Sequence, residues 1–204
     1  MSEFLVNGQP FSLESGRKTW GDALDAVETL AVAEGRVVTA VRFAGVDQPS
    51  FREAVIQPLA VSGLGRVEIE TVPRQRLLRT TLGIAGHSLP EIAGGARQAA
   101  TAFRRGDETG GHRQLGTLVA TVRTLLDLTL VSAAAAGATL AELPCGEDSA
   151  EGVLSAAGVV LDTLAQHQRA GDWIALADAL EYDLAPAILE WGLVFDALQE
   201  RCAA

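Results

Sequence analysis

At 204 residues, with 48% hydrophobic and 21% charged residues, this chain has the make-up of an ordinary globular protein, which excludes wholesale disorder. Its formal net charge of −10 argues against a general nucleic-acid or anionic-membrane binder, because both need clustered cations. Alanine and glycine carry much of the apolar count while aromatics are scarce, which suits close-packed helices.

The chain opens "MSEFLVNGQPFSLE", without a basic n-region or an apolar h-region, so no secretory leader is expected. "EFLVNG" and "FSLE" are short apolar runs around "NGQP", a hairpin signal because Asn-Gly supplies the positive φ of a tight turn. From Thr19 to Glu34 the period turns helical. Trp20, Leu24, Val27, Leu30 and Ala31 share a face, Thr19 is the cap and Gly35 the stop. "RVVTAVRFAG" alternates as a strand, "SFREAVIQPLAVSGLG" reads as a short helix or turns interrupted by Pro58, and "RVEIETV" alternates as a last strand before Pro73.

Hairpin, helix, strand, short helix, strand is the order of a β-grasp. This segment resembles the ubiquitin-like fold, and "RFAGVDQ" is similar to ubiquitin's third strand and following turn, where a Phe-Ala-Gly also occurs. The resemblance covers about a third of the chain and implies a docking module. Ubiquitin-like modifiers end in a free di-glycine tail, whereas Val72-Pro73 here runs into "RQRLLRTTL" and the chain ends in Ala-Ala, so conjugation is not expected.

From Arg74 onward the long segments read as helices, at about 74–106, 113–136, 149–170 and 173–202. The first carries Leu78, Leu82, Ala85, Leu89, Ile92, Ala96, Ala99 and Phe103 at alternating intervals of four and three, the seam of a bundle helix. "HSLPE" offers Ser88 and Glu91 as a capping box around Pro90, which predicts a kink or break at residues 86–89. The second helix has Leu115, Leu118, Val122, Leu125 and Thr129 on one stripe. Its apolar run from Leu115 to Leu143 is broken by Arg123, Asp127, Ser132 and Gly137, as in a core helix and unlike a membrane span. Asp148 with Glu151 predicts the third start, Leu154, Ala157, Leu161 and Leu164 point inward, and Gly171 is the stop. Asp172 caps the last helix, with its stripe Leu184, Ile188, Trp191, Phe195 and Leu198. The fold class expected is α+β: a ubiquitin-like domain at 1–73 and an antiparallel four-helix bundle at 74–204. The pairing resembles two-part bacterial proteins of uncharacterised role.

Reactive constellations are sparse. His87, His112 and His167 lie on different segments without metal-ligand spacing, and "SGLGR" and "AGGAR" lack the phosphate-loop pattern. Cys145 and Cys202 form no disulfide framework and fit a reducing cytoplasm; Cys145 stands in no nucleophile signature. Residues 74–123 hold eight Arg against Glu91, Asp107 and Glu108. Residues 148–204 hold ten acids against Arg169 and Arg201, which suggests complementary helix edges. No catalytic, cofactor or metal residue is therefore expected.

The segment "ADALEYDLAPAILEW" is the remaining candidate. Pro186 removes an amide donor and clashes with the Tyr182 carbonyl, bending the helix. Either the bend only fits the helix to its core, or it presents Tyr182, Asp183, Pro186 and Trp191 to a partner. The leading expectation is a non-catalytic cytoplasmic adaptor or scaffold that docks proteins through the N-terminal sheet and the bundle, with a homodimer among its arrangements and neither nucleic acid nor membrane as partner. Two alternatives are a chaperone for a secreted or flagellar substrate, and a small-ligand sensor or enzyme whose pocket between the helices uses His87 or the Asp183 region.

Overall fold

A computed structural model describes residues 3–13 and 16–202 of the chain. Met1, Ser2, Glu14 of the second apolar run, Ser15 and the terminal Ala-Ala lie outside the described residues. The chain is α+β and divides into two compact units, Met1–Leu77 and Leu78–Ala204.

In the first unit, β1 (Glu3–Val6) and β2 (Gln9–Pro10) form a hairpin. Asn7 at φ 51° and Gly8 at φ 78° make its turn, both in the left-handed region that Asn-Gly tolerates. Helix α1 (Trp20–Ala33) follows, then β3 (Arg36–Phe43), β4 (Val46–Asp47) and β5 (Arg66–Pro73). The mixed sheet has the order β2-β1-β5-β3-β4, with β1 parallel to β5 and the other pairs antiparallel.

Thr19 caps α1 in a full capping box. Its hydroxyl accepts from the Asp22 amide while the Asp22 carboxylate accepts from the amide of Thr19. The Thr19 hydroxyl first, then the amides of Thr19 and Lys18, interact with the Asp22 carboxylate and hold its carboxyl below the usual range. Trp20, Ala23, Leu24 and Val27 bury one face against Val38, Val41, Val67 and Ile69 of the sheet, and Ala31 is buried one turn further on. Leu30, expected inward, is exposed on the helix flank. Trp20 is fully enclosed, donates Nε1–H to the Phe51 carbonyl at 2.7 Å and meets Phe43 edge-on at 5.0 Å. The segment between β4 and β5 is a run of turns with a single 3₁₀ turn at Val61–Gly63.

The second unit contains most of α2 (Arg74–Arg104), then α3 (Glu108–Ala135), α4 (Ala150–Ala170), α5 (Trp173–Asp178) and α6 (Ala185–Arg201). A short hairpin, β6 (Pro144–Cys145) with β7 (Asp148–Ser149), precedes α4. Glycines bring α2 and α6 together. A Cβ at Gly83 would lie 3.7 Å from the Gln199 side chain, one at Gly86 4.0 Å from the Phe195 ring, and one at Gly192 3.6 Å from Leu89. As residue numbers rise on α2 they fall on α6, so the two helices run antiparallel. The core gathers Leu82, Leu89, Ala96 and Phe103 of α2 with Leu118, Val122 and Leu125 of α3 and Ile188, Trp191, Phe195 and Leu198 of α6.

Several boundaries differ from the expected ones, each for a local reason. Helix α2 runs unbroken through residues 86–89, and Ser88 is no cap: its hydroxyl donates to the Ile84 carbonyl at 3.1 Å. His87 Nδ1–H likewise donates to the Gly83 carbonyl at 2.7 Å. Pro90 deprives the Gly86 carbonyl of its donor, yet Leu82, Leu89, Ala93 and Ala96 are buried on both sides of it, so packing keeps the helix continuous through the proline. Because the Pro90 ring is exposed, Pro90→Ala is expected to restore one helix hydrogen bond and raise stability by about 1 kcal/mol. A raised urea midpoint with unchanged m-value would show it; a fall would mean the ring itself packs.

Helix α3 begins at Glu108, five residues before the expected Arg113, because Asp107 caps it by accepting from the Gly110 amide at 2.9 Å. The cap of α4 is Ser149, accepting from Gly152 at 3.2 Å, while Asp148 belongs to the β7 hairpin. Gly171 at φ 70° ends α4 and Asp172 caps α5 through the Ala175 amide, both as expected. The expected last helix, 173–202, is in three parts. Between α5 and α6 lies a π-helical turn, Ala179–Leu184, and Pro186 is the second residue of α6. Widening to i→i+5 spacing moves the carbonyls ahead of the ring apart, which is how the chain absorbs the proline without a break.

Candidate functional site

The π-helical turn sorts the candidate residues onto two sides. Leu180 and Leu184 point into the core, whereas Tyr182 (65% exposed), Asp183 and Pro186 face solvent. Trp191 does not join them. It is 3% exposed and donates Nε1–H to the Thr129 hydroxyl at 3.0 Å, and Thr129 in turn donates to the Leu125 carbonyl at 2.8 Å. The indole is thus a core element linking α6 to α3, and only Tyr182, Asp183 and Pro186 remain as a shared surface.

The acids around this turn have divided roles. Arg104, at the end of α2, forks onto two of them: Nη2 donates to Asp178 Oδ1 at 2.7 Å and Nη1 donates to Glu181 Oε2. Asp178 first and Glu181 second push the guanidinium pKa further above its usual range. The same guanidinium sits 5.7 Å from the Tyr182 ring centroid, so the phenol is held on one side by a fixed cation. Asp183 carries no ion pair among the described residues. Counting Arg104, Asp178, Glu181 and Asp183, the patch keeps a net charge of −2 beside an exposed tyrosine.

His112 and the two cysteines are engaged structurally, while His167 is half-buried near the end of α4. His112 lies edge-on to Phe103 at 5.3 Å and to Trp173 at 5.1 Å, and those two rings stack at 5.6 Å with a 12° interplanar angle. Cys145 and Cys202 are buried, and burial pushes both thiols up, which lowers their thiolate fraction and reactivity. Among the described residues no group of three His, Cys, Asp or Glu side chains could hold a metal ion. A shallow hollow of about 340 Å³ lies between α2 and α3, with Ile92, Gly95 and Leu118 at its base and Gln98, Arg113 and Gln114 at its rim. No His and no Cys reaches it.

Sequence reasoning missed two members of this region. Arg104 is 74 residues from Asp178 in the chain, and only the antiparallel packing of α2 on the C-terminal helices brings it there. Thr129 was read as one more stripe position, although a hydroxyl in an apolar helix stripe is a signal that some buried donor or carbonyl awaits it. Comparison with protein-family models, curated proteins and solved structures found no match for this chain.

Proposed function

We propose that this chain is a non-catalytic adaptor or scaffold that docks protein partners. Its first unit is a ubiquitin-like β-grasp domain and its second an antiparallel helical bundle of four helices, the last divided by the π-helical turn. Support for the first assignment is the sheet order β2-β1-β5-β3-β4 with a central parallel pair, and the turn at Ala44 (φ 49°) and Gly45 (φ 82°) within the ubiquitin-similar "RFAG". Support for the second is the antiparallel run of α2 on α6 and the shared core.

The observation that carries the docking reading is the exposed Tyr182 held against Arg104 beside the unpaired Asp183. A tyrosine already ordered in the free protein loses little entropy on binding and supplies a large contact area, the usual recipe for an anchoring residue. With a net charge of −2, the patch complements a basic segment of a partner protein. Adaptor function suits the scattered histidines and buried thiols better than chemistry does.

Affinity capture from the native host with wild type and with Tyr182→Ala plus Asp183→Arg tests this. The double variant is expected to lose at least one captured protein, its affinity weakened by about tenfold or more. Capture of nothing above background, with turnover of a metabolite by the pure protein, would sink the adaptor reading.

A further inference from the structure

Helix α3 is too apolar for the part it plays in the core. By length and composition it could cross a membrane, with a mean hydropathy of 1.5 over an 18-residue window, yet only 33% of that window is buried. The core explains one face, made by Leu115, Leu118, Val122, Leu125 and Thr129. At 100° per residue, the opposite face is centred away from Leu125. From Gly116 to Ala134 it carries Val119, Ala120, Arg123, Asp127, Leu130 and Val131, all exposed; Val119, Leu130 and Val131 are 49%, 47% and 64% exposed.

We propose that a second copy of this chain packs on this face, the two α3 helices lying antiparallel about a two-fold axis level with Leu125. The argument is the charge pattern. Arg123 and Asp127 are the face's two charged residues between Gly116 and Ala134, and among the described residues neither carries an ion pair. They stand equally far on either side of Leu125, so the two-fold sets Arg123 of each copy at the level of Asp127 of the other. Two symmetry-related ion pairs form, and no charge is left over.

The same operation matches the apolar positions. Val119 meets Val131 of the second copy, Ala120 meets Leu130, and Gly116 meets Ala134, where small side chains let the helices approach closely. A parallel arrangement would set Arg123 against Arg123 and Asp127 against Asp127, so orientation follows from charge alone. Local neutrality on a chain of net charge −10 also makes this face one where two copies meet without direct repulsion. The proposal does not rest on docking at Tyr182, which lies on another element; variants at Tyr182 and Asp183 are expected to leave self-association unchanged.

Sedimentation equilibrium of the full chain tests it, with phosphatidylcholine vesicles in a parallel flotation assay. Wild type is expected at twice the 21.3 kDa chain mass. Val131→Asp, at an exposed position, is expected to keep its circular dichroism and become monomeric. Arg123→Asp is expected to weaken association by about tenfold or more by opposing like charges, and adding Asp127→Arg is expected to restore it, since the reversed pair is again complementary. A monomeric wild type, a dimer unmoved by Val131→Asp and Arg123→Asp, or a wild type that floats with the vesicles instead of self-associating would each overturn the proposal.

Discussion

Trp191→Ala is expected to lower the stability of the helical unit by about 3–5 kcal/mol, the largest effect of any single substitution argued for this chain. The indole is 3% exposed and lies among Leu125, Ile188, Phe195 and other core residues, so truncation leaves a cavity that close-packed helices cannot fully collapse. Two further variants separate packing from hydrogen bonding. Trp191→Phe keeps most of the volume and removes the donor, while the Thr129 hydroxyl still donates to Leu125, so a cost of about 1 kcal/mol is expected beyond lost area. Thr129→Val strands a buried indole N–H and is expected to cost about 1–3 kcal/mol. Urea unfolding followed by far-ultraviolet circular dichroism, dominated by the helices, would read all three. Equal losses for Trp191→Ala and Trp191→Phe would mean that the bond, and not the packing, holds α6 to α3. Loss of this magnitude also fixes how the candidate site is read: Trp191 cannot be lent to a partner without unfolding its own unit.

What the sequence made legible follows the range of the interaction involved. Asn7-Gly8, the Thr19 cap, Gly171 and Asp172 act within three residues of themselves, and each was readable because its chemistry names its conformation, although the reciprocal bond from Asp22 was not read. The apolar stripe of α2 was legible for the same reason, with period standing for face. The break expected before Pro90 does not occur, because a proline is a local signal and whether the helix ends there is not decided locally. Burial of Leu82 and Leu89 on one side and Ala93 and Ala96 on the other outweighs one missing hydrogen bond of about 1 kcal/mol. Pro186 was read as a bend in an α-helix; the π-turn that precedes it was not foreseen, because periodicity does not encode that widening. Arg104 could not have been found at all, since which of eight arginines reaches Asp178 and Glu181 is decided only when α2 is laid on the C-terminal helices.

Exposure was the other hidden quantity, and it bears on function most. Val119, Leu130 and Val131 look like core residues in a list of apolar positions, and Trp191 looks like an interface aromatic. The structure reverses their exposure. His112 is held in an aromatic cluster and both thiols are buried, while an acidic tyrosine patch and a charge-matched apolar helix face lie exposed, and these exposures are what the adaptor and self-association proposals rest on.

Gly111→Ala is expected to destabilise the same unit by about 1–3 kcal/mol, although alanine is the better helix former. Magnitudes decide the sign. Helix propensity alone would favour alanine by up to about 1 kcal/mol in the interior of α3. Against that, a Cβ at Gly111 would lie 2.8 to 2.9 Å from three carbons of the Phe103 ring, well inside normal contact. The ring has no free direction of retreat, being stacked on Trp173 and met edge-on by His112. The overlap must therefore be relieved by moving α3 against α2 or by breaking the aromatic cluster. Gly94→Ala supplies the opposite sign, since nothing lies within 4 Å of its Cβ position, and a gain of up to about 1 kcal/mol is expected there. Adding Phe103→Leu to Gly111→Ala is expected to recover part of the loss, because a smaller and more adaptable side chain vacates the space. Should Gly111→Ala and Gly94→Ala instead raise the urea midpoint alike, the ring would not be fixed, and the pairing of Gly111 with Phe103 would lose its role as the lock between α2 and α3.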